Sequence, residues 1–508
     1  MPISFNNIPQ NWKMPLYWVE VDPSKAGFPR SHMAALLVGI KRSAGTATVD
    51  IPIAAGRQMD FDKYFGKGSE LAKMGKAFLN NNFANELWFL PVAEPSGGTA
   101  ATGTITVATP ATEAGTIHLY VGGEAVPVNV AAGDTVNTIA AAINAAINAN
   151  LDLPITSAVV GAVVTATAKW KGTTGNDISL LDSYYGVVGG EQLPAGVTLT
   201  YSGSGFLTGG AGVPVFTTGI SNIGDREFEF VALPYTDSTS LLAWETEYGF
   251  SDSGRWGWMR QLYGHLFSAK RDTYSNLLTF GATRNSGILS VMAVEPTAPT
   301  PVYEWTAAYA AKAARALIND PARPLQTLHL DGVMPAKSHD MFIMSELNTL
   351  AGTGLATQTV KSDGVPMILR ETTMYQLNSY GFGDDAYELV TTMATLAKLI
   401  RNQRHAITSK YPRHKLADDG TRFGAGQAIV TPKVIKAELI AQYRDDEFIG
   451  LVENGKAFKD NLIVERDPND PNRLNVLYPP DLVNQLRVFA VLAQFRLQYY
   501  RGVDLGIL

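Results

Sequence analysis

The sequence predicts a multidomain protein of the α/β and α+β classes, with a mostly β domain inserted into an α/β core. Three observations favour this fold class. Strand and helix patterns alternate through residues 26–96 and again through residues 213–350, which is typical of a largely parallel sheet. Residues 97–212 between them are rich in Gly, Ala, Thr and Val and poor in charge. Residues 351–498 combine long helical patterns with strands, which predicts an α+β C-terminal domain.

The core domain is predicted from buried strands that flank helices. Residues 34–39 and 87–92 are apolar runs, and Ser69 is placed to cap a helix between them. After the insertion, the predicted elements are the strand 228–234, the helical segment 241–248, the strand 288–294, the alanine-rich helix 303–318 and the strand 326–330. We expect the strand that precedes the insertion to belong to the same sheet.

The insertion begins and ends at glycine-rich boundaries, residues 95–98 and 209–212. Alternating apolar residues indicate strands inside it. It also contains one helical pattern, for which Asp134 is a plausible N-terminal cap. The apolar side chains that fall on one face of this helix are Val136, Ile139, Ile143 and Ile147.

The last unit is predicted from six patterns. Residues 365–370 indicate a strand and residues 387–407 a long helix with one apolar side. Thr431-Pro432 is a typical start for the helix that follows, through residue 447. Further strands are predicted at 458–464, 473–477 and 487–497.

Both chain ends are predicted to be extended arms. Residues 1–25 contain four prolines, which prevent a helix, yet they are too apolar for a solvated tail. The apolar residues of this arm include Phe5, Ile8, Trp12, Leu16, Tyr17 and Trp18. Residues 499–508 are predicted to be a second arm or a tail, and the predicted contacts at this end of the chain are Phe495, Leu497, Tyr499 and Tyr500. An N-terminal arm that binds another surface and a strand that wraps its own domain both remain open.

Composition restricts the function classes. The 508 residues suffice for two to four domains, and 46% are hydrophobic against 17% charged, as expected for a globular protein. The net charge of −6 argues against a nucleic-acid binder. The chain has no cysteine, so it forms neither disulfides nor thiolate metal sites. No signal peptide and no membrane-spanning segment is expected.

No motif in the sequence predicts catalysis, a cofactor or a metal. The glycine turn at 172–177 lacks the lysine of a phosphate-binding loop, and 424–426 lacks the third glycine of a dinucleotide loop. The seven histidines are scattered. The segment 467–472 resembles a calcium loop, but Pro471 and Asn472 break its ligand pattern, so a turn is predicted.

One cluster of basic residues stands out in this acidic chain. Between Glu388 and Asp418 there is no acidic residue. The basic residues of this stretch are Lys398, Arg401, Arg404, Lys410, Arg413 and Lys415. They could face water and complement the dipole at the end of their helix. Alternatively, they form a positive surface that docks on an acidic protein partner. Aromatic residues are not interleaved with these charges, which argues against nucleic acid as the partner.

Several long motifs carry a family resemblance. They are Tyr-Pro-Arg-His-Lys-Leu-Ala-Asp-Asp-Gly-Thr-Arg-Phe-Gly at 411–424, Gly-Gln-Ala-Ile-Val-Thr-Pro-Lys at 426–433, Leu-Val-Glu-Asn at 451–454, Asp-Pro-Asn-Arg at 470–473, Pro-Pro-Asp-Leu-Val-Asn-Gln at 479–485 and Arg-Val-Phe-Ala at 487–490. This series resembles the contractile tail sheath proteins of Mu-like bacteriophages. The likeness covers nearly the whole chain and is weakest at 183–212 and in the last residues.

The resemblance implies a structural subunit without an active site. Stacked hexameric rings would surround a tail tube and contract to drive it through the host envelope. The C-terminal domain would lie nearest the tube, the inserted domain would protrude, and both arms would add strands to neighbouring subunits. Implied partners are other sheath subunits and the tube, baseplate and tail terminator proteins, with no direct nucleic-acid contact and no membrane insertion. The protein would be part of the virion tail, which would be assembled in the host bacterial cytoplasm.

Two other classes remain open from the residues themselves. One is another self-assembling virion protein, such as a tube or capsid subunit. The other is an α/β enzyme with a β accessory domain.

Overall fold

A computed structural model describes residues 33–497 of the chain. The first segment forms β1 (Ala35–Ile40), β2 (Ile53–Ala54), α1 (Gln58–Phe65), α2 (Glu70–Asn81) and β3 (Leu87–Val92). The side chain of Ser69 caps α2, as predicted, by accepting a hydrogen bond from the Ala72 backbone N–H at 3.1 Å. The strand β1 is fully buried, because it lies between two parallel neighbours.

The insertion is mostly β, as predicted, and contains one α-helix. Its elements are β4 (Ala100–Thr109), β5 (Gly115–Val121), β6 (Glu124–Val130), α3 (Val136–Ala149), β7 (Ile155–Val160), β8 (Val163–Lys171), β9 (Leu180–Asp182) and β10 (Thr198–Tyr201). They form a four-stranded sheet, β10-β4-β8-β7, and a three-stranded sheet, β6-β5-β9. The apolar face of α3 buries Ile139, Ile143 and Ile147.

The chain then returns to the α/β core. The elements are α4 (Thr217–Ile223), β11 (Phe230–Ala232), α5 (Ser238–Tyr248), β12 (His265–Arg271), α6 (Tyr274–Ala282), β13 (Leu289–Val294), α7 (Val302–Asn319), α8 (Met344–Gly352), β14 (Leu355–Val360) and β15 (Pro366–Arg370). Eight strands form one sheet in the order β15-β14-β13-β12-β11-β1-β3-β2. All neighbouring pairs from β14 to β3 are parallel, and β15 and β2 are antiparallel edges. The strand before the insertion thus belongs to the same sheet, as expected.

The last unit is helical with short strands. It contains α9 (Val390–Lys410), β16 (Lys415–Leu416), β17 (Ile429–Val430), α10 (Pro432–Phe448), α11 (Gly455–Asn461), β18 (Ile463–Arg466) and β19 (Leu474–Leu477). Its small core includes Leu399, Leu439, Tyr443 and Phe458 and is separate from the main core. The helix α9 bridges the two cores, because Val390 and Met393 near its start pack into the main core.

Several predicted elements need correction. Thr135, not Asp134, caps α3, since its side chain accepts from the Thr138 N–H while Asp134 accepts from the Ala131 N–H. The sequence 326–330 forms turns and a single bridge at His329 rather than a strand. The strand predicted at 365–370 belongs to the eight-stranded sheet rather than to the last unit.

Two corrections concern the end of the chain. Residues 455–461 form the helix α11, and the strand predicted from 458 begins only at Ile463. The predicted strand 487–497 is wrong for the described residues, which form neither helix nor strand there.

Candidate assembly surfaces

The segment 488–497 is apolar, irregular and exposed over its whole length. Its large apolar side chains, with their exposed fractions, are Val488 78%, Phe489 81%, Val491 69%, Leu492 85%, Phe495 84% and Leu497 96%. The sequence predicts a strand of the subunit at 487–497 and places only Phe495 and Leu497 of this stretch in the arm contacts. The apolar residues from Val488 onward show the same pattern as these two. Contiguous apolar exposure of this kind marks an interaction site.

The hairpin β18–β19 is a separate two-stranded sheet in the part of the chain that the structure describes. Its register pairs Ile463 with Leu477 and Arg466 with Leu474. Isolated two-stranded hairpins are only marginally stable in water, and each outer edge presents backbone groups that can pair with another strand. Ile463 and Leu477 are exposed at 49% and 59%, so apolar surface accompanies these edges.

A groove of about 570 Å³ lies beside this hairpin. Leu474 and Val476 of β19 line one side, and α9 and α10 contribute further apolar residues. The loop before β12 closes the other side with Trp256 and Trp258. Trp258 is 69% exposed. An extended apolar segment could therefore pair its backbone with the edge of the hairpin and place its side chains in the adjacent aromatic-lined groove.

The predicted basic cluster is divided by the fold. The Arg401 guanidinium donates to the Glu229 carboxylate at 2.8 Å and lies 5.3 Å from the centre of the Tyr263 ring. Burial raises the pKa of Glu229 to about 7, while Arg401 acts in the opposite direction. Lys398 is half-buried and, together with Arg401 and Glu229, lines a cavity between α9 and the sheet. Arg401 thus joins α9 to the core domain, and its role in docking stays a prediction.

The remaining basic residues are on the surface. Lys410 is exposed but forms an ion pair with Glu438 of α10. Arg404, Arg413 and Lys415 are exposed at the end of α9 and in the loop that follows. Lys415 also donates to the Gln427 side chain at 3.3 Å. Arg404, Arg413 and Lys415 are therefore the three exposed cations that have no carboxylate partner among the described contacts. Of the predicted docking residues, these three fit a docking surface best.

Buried charges tie the insertion to the core domain. Lys73 of α2, with a side chain only 6% exposed, forms an ion pair with Glu124 of β6. Glu304 of α7 lies 4.0 Å from the same ammonium. Burial raises the pKa of Glu304 to about 7, against the attraction of Lys73. Arg271 of β12 makes a second tie at 2.7 Å to Asp177 of the insertion.

Another buried carboxyl group has no cationic partner within ion-pair distance in the described chain. Glu295 follows β13 and is 2% exposed. Burial raises its pKa to about 7, although the Gln358 side-chain amide donates to both of its oxygens at 2.9 and 2.8 Å. The amide oxygen of Gln358 has no hydrogen-bond partner among the described residues.

Residues 33–497 contain no group of three or more side chains that could hold a metal ion. Within the same residues, every helix is too short or too polar to cross a bilayer.

The remaining predicted arm contacts lie outside the described residues. They are Phe5, Ile8, Trp12, Leu16, Tyr17, Trp18, Tyr499 and Tyr500. Their role stays a prediction.

An exposed apolar segment and a two-stranded hairpin on a mixed α/β scaffold are typical of a structural protein that assembles with other chains. Comparison with protein families identifies which one. Residues 209–374 match the phage tail sheath protein central domain, and residues 383–496 match the phage tail sheath C-terminal domain. The chain belongs to the phage tail sheath family and is a structural subunit of a phage tail.

A curated relative agrees over the full chain. The chain is 40% identical over 497 residues to the Mu-like prophage FluMu tail sheath protein of Haemophilus influenzae, which covers 97% of this chain and 100% of that protein. The predicted resemblance to Mu-like sheath proteins is thus confirmed. Membership in this family places the chain among structural proteins associated with the virion.

Solved structures of sheath proteins are similar at low identity. The sheath tail protein of Desulfitobacterium hafniense is 13% identical, with a TM-score of 0.45, covering 92% of this chain and 100% of that one. The sheath tail protein Lin1278 of Listeria innocua is 13% identical, with a TM-score of 0.46 and coverage of 89% and 92%. A chain of the anti-feeding prophage baseplate is 10% identical, with a TM-score of 0.47 and coverage of 96% and 100%.

Proposed function

We propose that the subunit polymerises as stacked hexameric rings around a tail tube, and that this sheath contracts to drive the tube through the host envelope. The observation that carries the proposal is the coexistence of a strand-like donor and an acceptor on one chain. The donor is the exposed segment from Val488, and the acceptor is the hairpin β18–β19 with its groove.

The donor would add a strand to the hairpin of a neighbouring subunit. Each backbone hydrogen bond so formed contributes roughly 0.5–1.5 kcal/mol net. Each large apolar side chain that becomes fully buried contributes about 1.5–3 kcal/mol more. A strand exchanged between subunits also remains bonded while the globular parts move, so it can hold rings together during contraction.

The N-terminal arm, residues 1–25, would be a second donated segment that supplies the other edge of the same hairpin. In this arrangement the core domain consists of residues 26–96 and 213–370, which include the edge strands β14 and β15, while residues 97–212 protrude and residues 371–498 lie nearest the tube. The buried ion pairs of Lys73 and Arg271 support an insertion that moves with the core as one body.

Docking on the tube would use the basic surface at the end of α9. Arg404, Arg413 and Lys415 are exposed there and can meet an acidic tube protein. The energy of contraction would come from larger interfaces between subunits, with the extended sheath as a metastable state. Calorimetry of isolated extended tails should then record irreversible contraction without nucleotide, and a strict nucleotide requirement would contradict this source of energy.

Further partners would be the baseplate and tail terminator proteins at the two ends of the sheath. The sheath would assemble in the host bacterial cytoplasm and remain in the virion tail. It would neither contact the genome directly nor insert into a membrane.

Truncations test strand donation. Subunits that lack residues 1–20 or residues 488–508 should fold as monomers, judged by circular dichroism, yet form no cylinders in negative-stain micrographs. The full-length protein provides the control under the same conditions. Cylinders of normal width and length from the 488–508 truncation would overturn donation of the C-terminal segment.

A further inference from the structure

The C-terminal segment is fastened to the sheet domain just before it becomes exposed. Glu371 directly follows β15 and has a fully buried side chain. The Arg487 guanidinium donates to both of its oxygens, to one of them at 2.9 Å. The Arg487 side chain is only 12% exposed. This paired geometry is the one in which the planar guanidinium binds a carboxylate most specifically.

Glu371 is itself held by three parts of the fold. Besides Arg487, its carboxylate accepts from the Leu325 backbone N–H at 3.4 Å and from the Thr391 hydroxyl at 3.5 Å. Leu325 belongs to the loop after α7, and Thr391 lies in the first turn of α9. The carboxylate therefore sits where the eight-stranded sheet, α7 and α9 meet.

Gln485 adds a second attachment two residues earlier. Its amide nitrogen donates to the Ala322 carbonyl at 2.6 Å, and its amide oxygen accepts from Arg487. Further upstream, Leu482 pairs with Val452 in a β-bridge. Immediately after Arg487 every described residue is exposed. The change from a partly buried to an exposed chain thus falls between Arg487 and Val488.

We propose that the Glu371–Arg487 pair is the anchor of the donated C-terminal segment, and that Arg487 is a positioning residue for strand exchange. This inference rests on the proposed donation and adds where the donated segment begins and which part of the subunit holds it. Mechanical tension on the donated segment would be transmitted through Glu371 to the eight-stranded sheet rather than to the small core around α10. The donated segment is then 488–508, longer than the arm predicted from residue 499.

The test separates anchoring from ordinary stability. Arg487→Met alone leaves a buried carboxylate without its counter-ion, so the monomer should melt about 5 °C or more below the parent. The double variant Glu371→Gln/Arg487→Met removes both charges and should recover most of that loss. Its critical concentration for sheath assembly should nevertheless remain at least ~10-fold above that of the parent, because the first residues of the donated segment are no longer held in place and must be ordered on binding.

A neighbouring ion pair provides the matched control. Arg370 and Glu388 form an ion pair at 2.8 Å beside the anchor, with both side chains 31% exposed and no hydrogen bond or ion pair to the described residues 488–497. Arg370→Met/Glu388→Gln should assemble like the parent. Normal assembly of the Glu371→Gln/Arg487→Met variant, with a stable monomer, would overturn the proposal.

A second measurement does not depend on assembly. Because the chain has no cysteine, Phe489→Cys can carry a single fluorophore next to the anchor. Removing the Glu371–Arg487 pair should lower the fluorescence anisotropy of this label in the monomer, whereas the Arg370–Glu388 control should leave it unchanged. Unchanged anisotropy in both would refute an anchoring role.

These results also distinguish the two proposals. If the 488–508 truncation forms normal sheaths, strand donation itself is wrong. If the truncation fails but the Glu371→Gln/Arg487→Met variant assembles normally, donation stands and only the anchor is wrong.

Discussion

Replacing Phe495 by alanine separates assembly from folding. The Phe495 side chain is 84% exposed in the subunit, so its removal deletes almost no contact within the fold. If the segment is donated, the same ring becomes buried on a neighbour. Full burial of a phenylalanine contributes about 1.5–3 kcal/mol, which corresponds to an about 10- to 150-fold change in an association constant. Each subunit donates one C-terminal segment, so the critical concentration for assembly should rise by that factor.

The assay compares two quantities on the same protein. Sedimentation over a concentration series gives the critical concentration, and thermal unfolding below that concentration gives the stability of the monomer. The matched control is Phe448→Ala, because Phe448 at the end of α10 is equally apolar and 92% exposed but lies outside the donated segment.

The expected pattern is specific to donation. Phe495→Ala should raise the critical concentration without lowering the melting temperature of the monomer, and Phe448→Ala should change neither. Equal critical concentrations for Phe495→Ala and the parent would refute the reasoning. So would a clear loss of monomer stability, since it would mean that Phe495 packs on its own subunit.

Three further predictions concern charge. Glu295→Gln should stabilise the subunit at pH 8 by about 3 kcal/mol and have little effect below pH 4.5. Because the pKa of Glu295 is near 7 in the folded state and near 4.5 in the unfolded state, the parent protein loses stability as the pH rises between these values. Equal melting shifts at both pH values would contradict this. Lys73→Met should lower the free energy of unfolding in urea by about 1–3 kcal/mol, because Glu124 loses the more buried of its two lysine partners while Lys76 remains at 3.5 Å. An unchanged transition midpoint would show that the Lys73–Glu124 pair contributes nothing to stability. Reversing Arg404 and Arg413 to Glu should weaken co-sedimentation with tube protein, most strongly at low salt, and spare sheath self-assembly; unchanged co-sedimentation would leave only a solvated basic face.

Local signals in the sequence determined most of the core. The apolar runs at β1, β3 and β13 predicted buried parallel strands, and Ser69 predicted the start of α2. These features depend on neighbouring residues and on apolar pattern, which a sequence displays directly. The Mu-like family was also evident in the sequence, because its motifs are long and specific.

Tertiary structure decided the features that depend on distant partners. The charge pattern on α9 did not distinguish Arg401, which is paired with Glu229, from Arg404, which faces solvent. The apolar pattern after residue 487 predicted a strand, but strand formation needs a partner strand, and residues 488–497 pair with none among the described residues of their own subunit.

The ion pair that attaches this segment to the sheet could not be predicted from the sequence either. Arg487 and Glu371 are separated by 116 positions along the chain. Only the fold brings them into one buried pair. The sequence by itself therefore determined which segments are apolar, helical or extended and to which family they belong. The tertiary structure decided which charges are used inside the subunit and which residues are left for its neighbours, because burial and pairing depend on contacts across the whole chain.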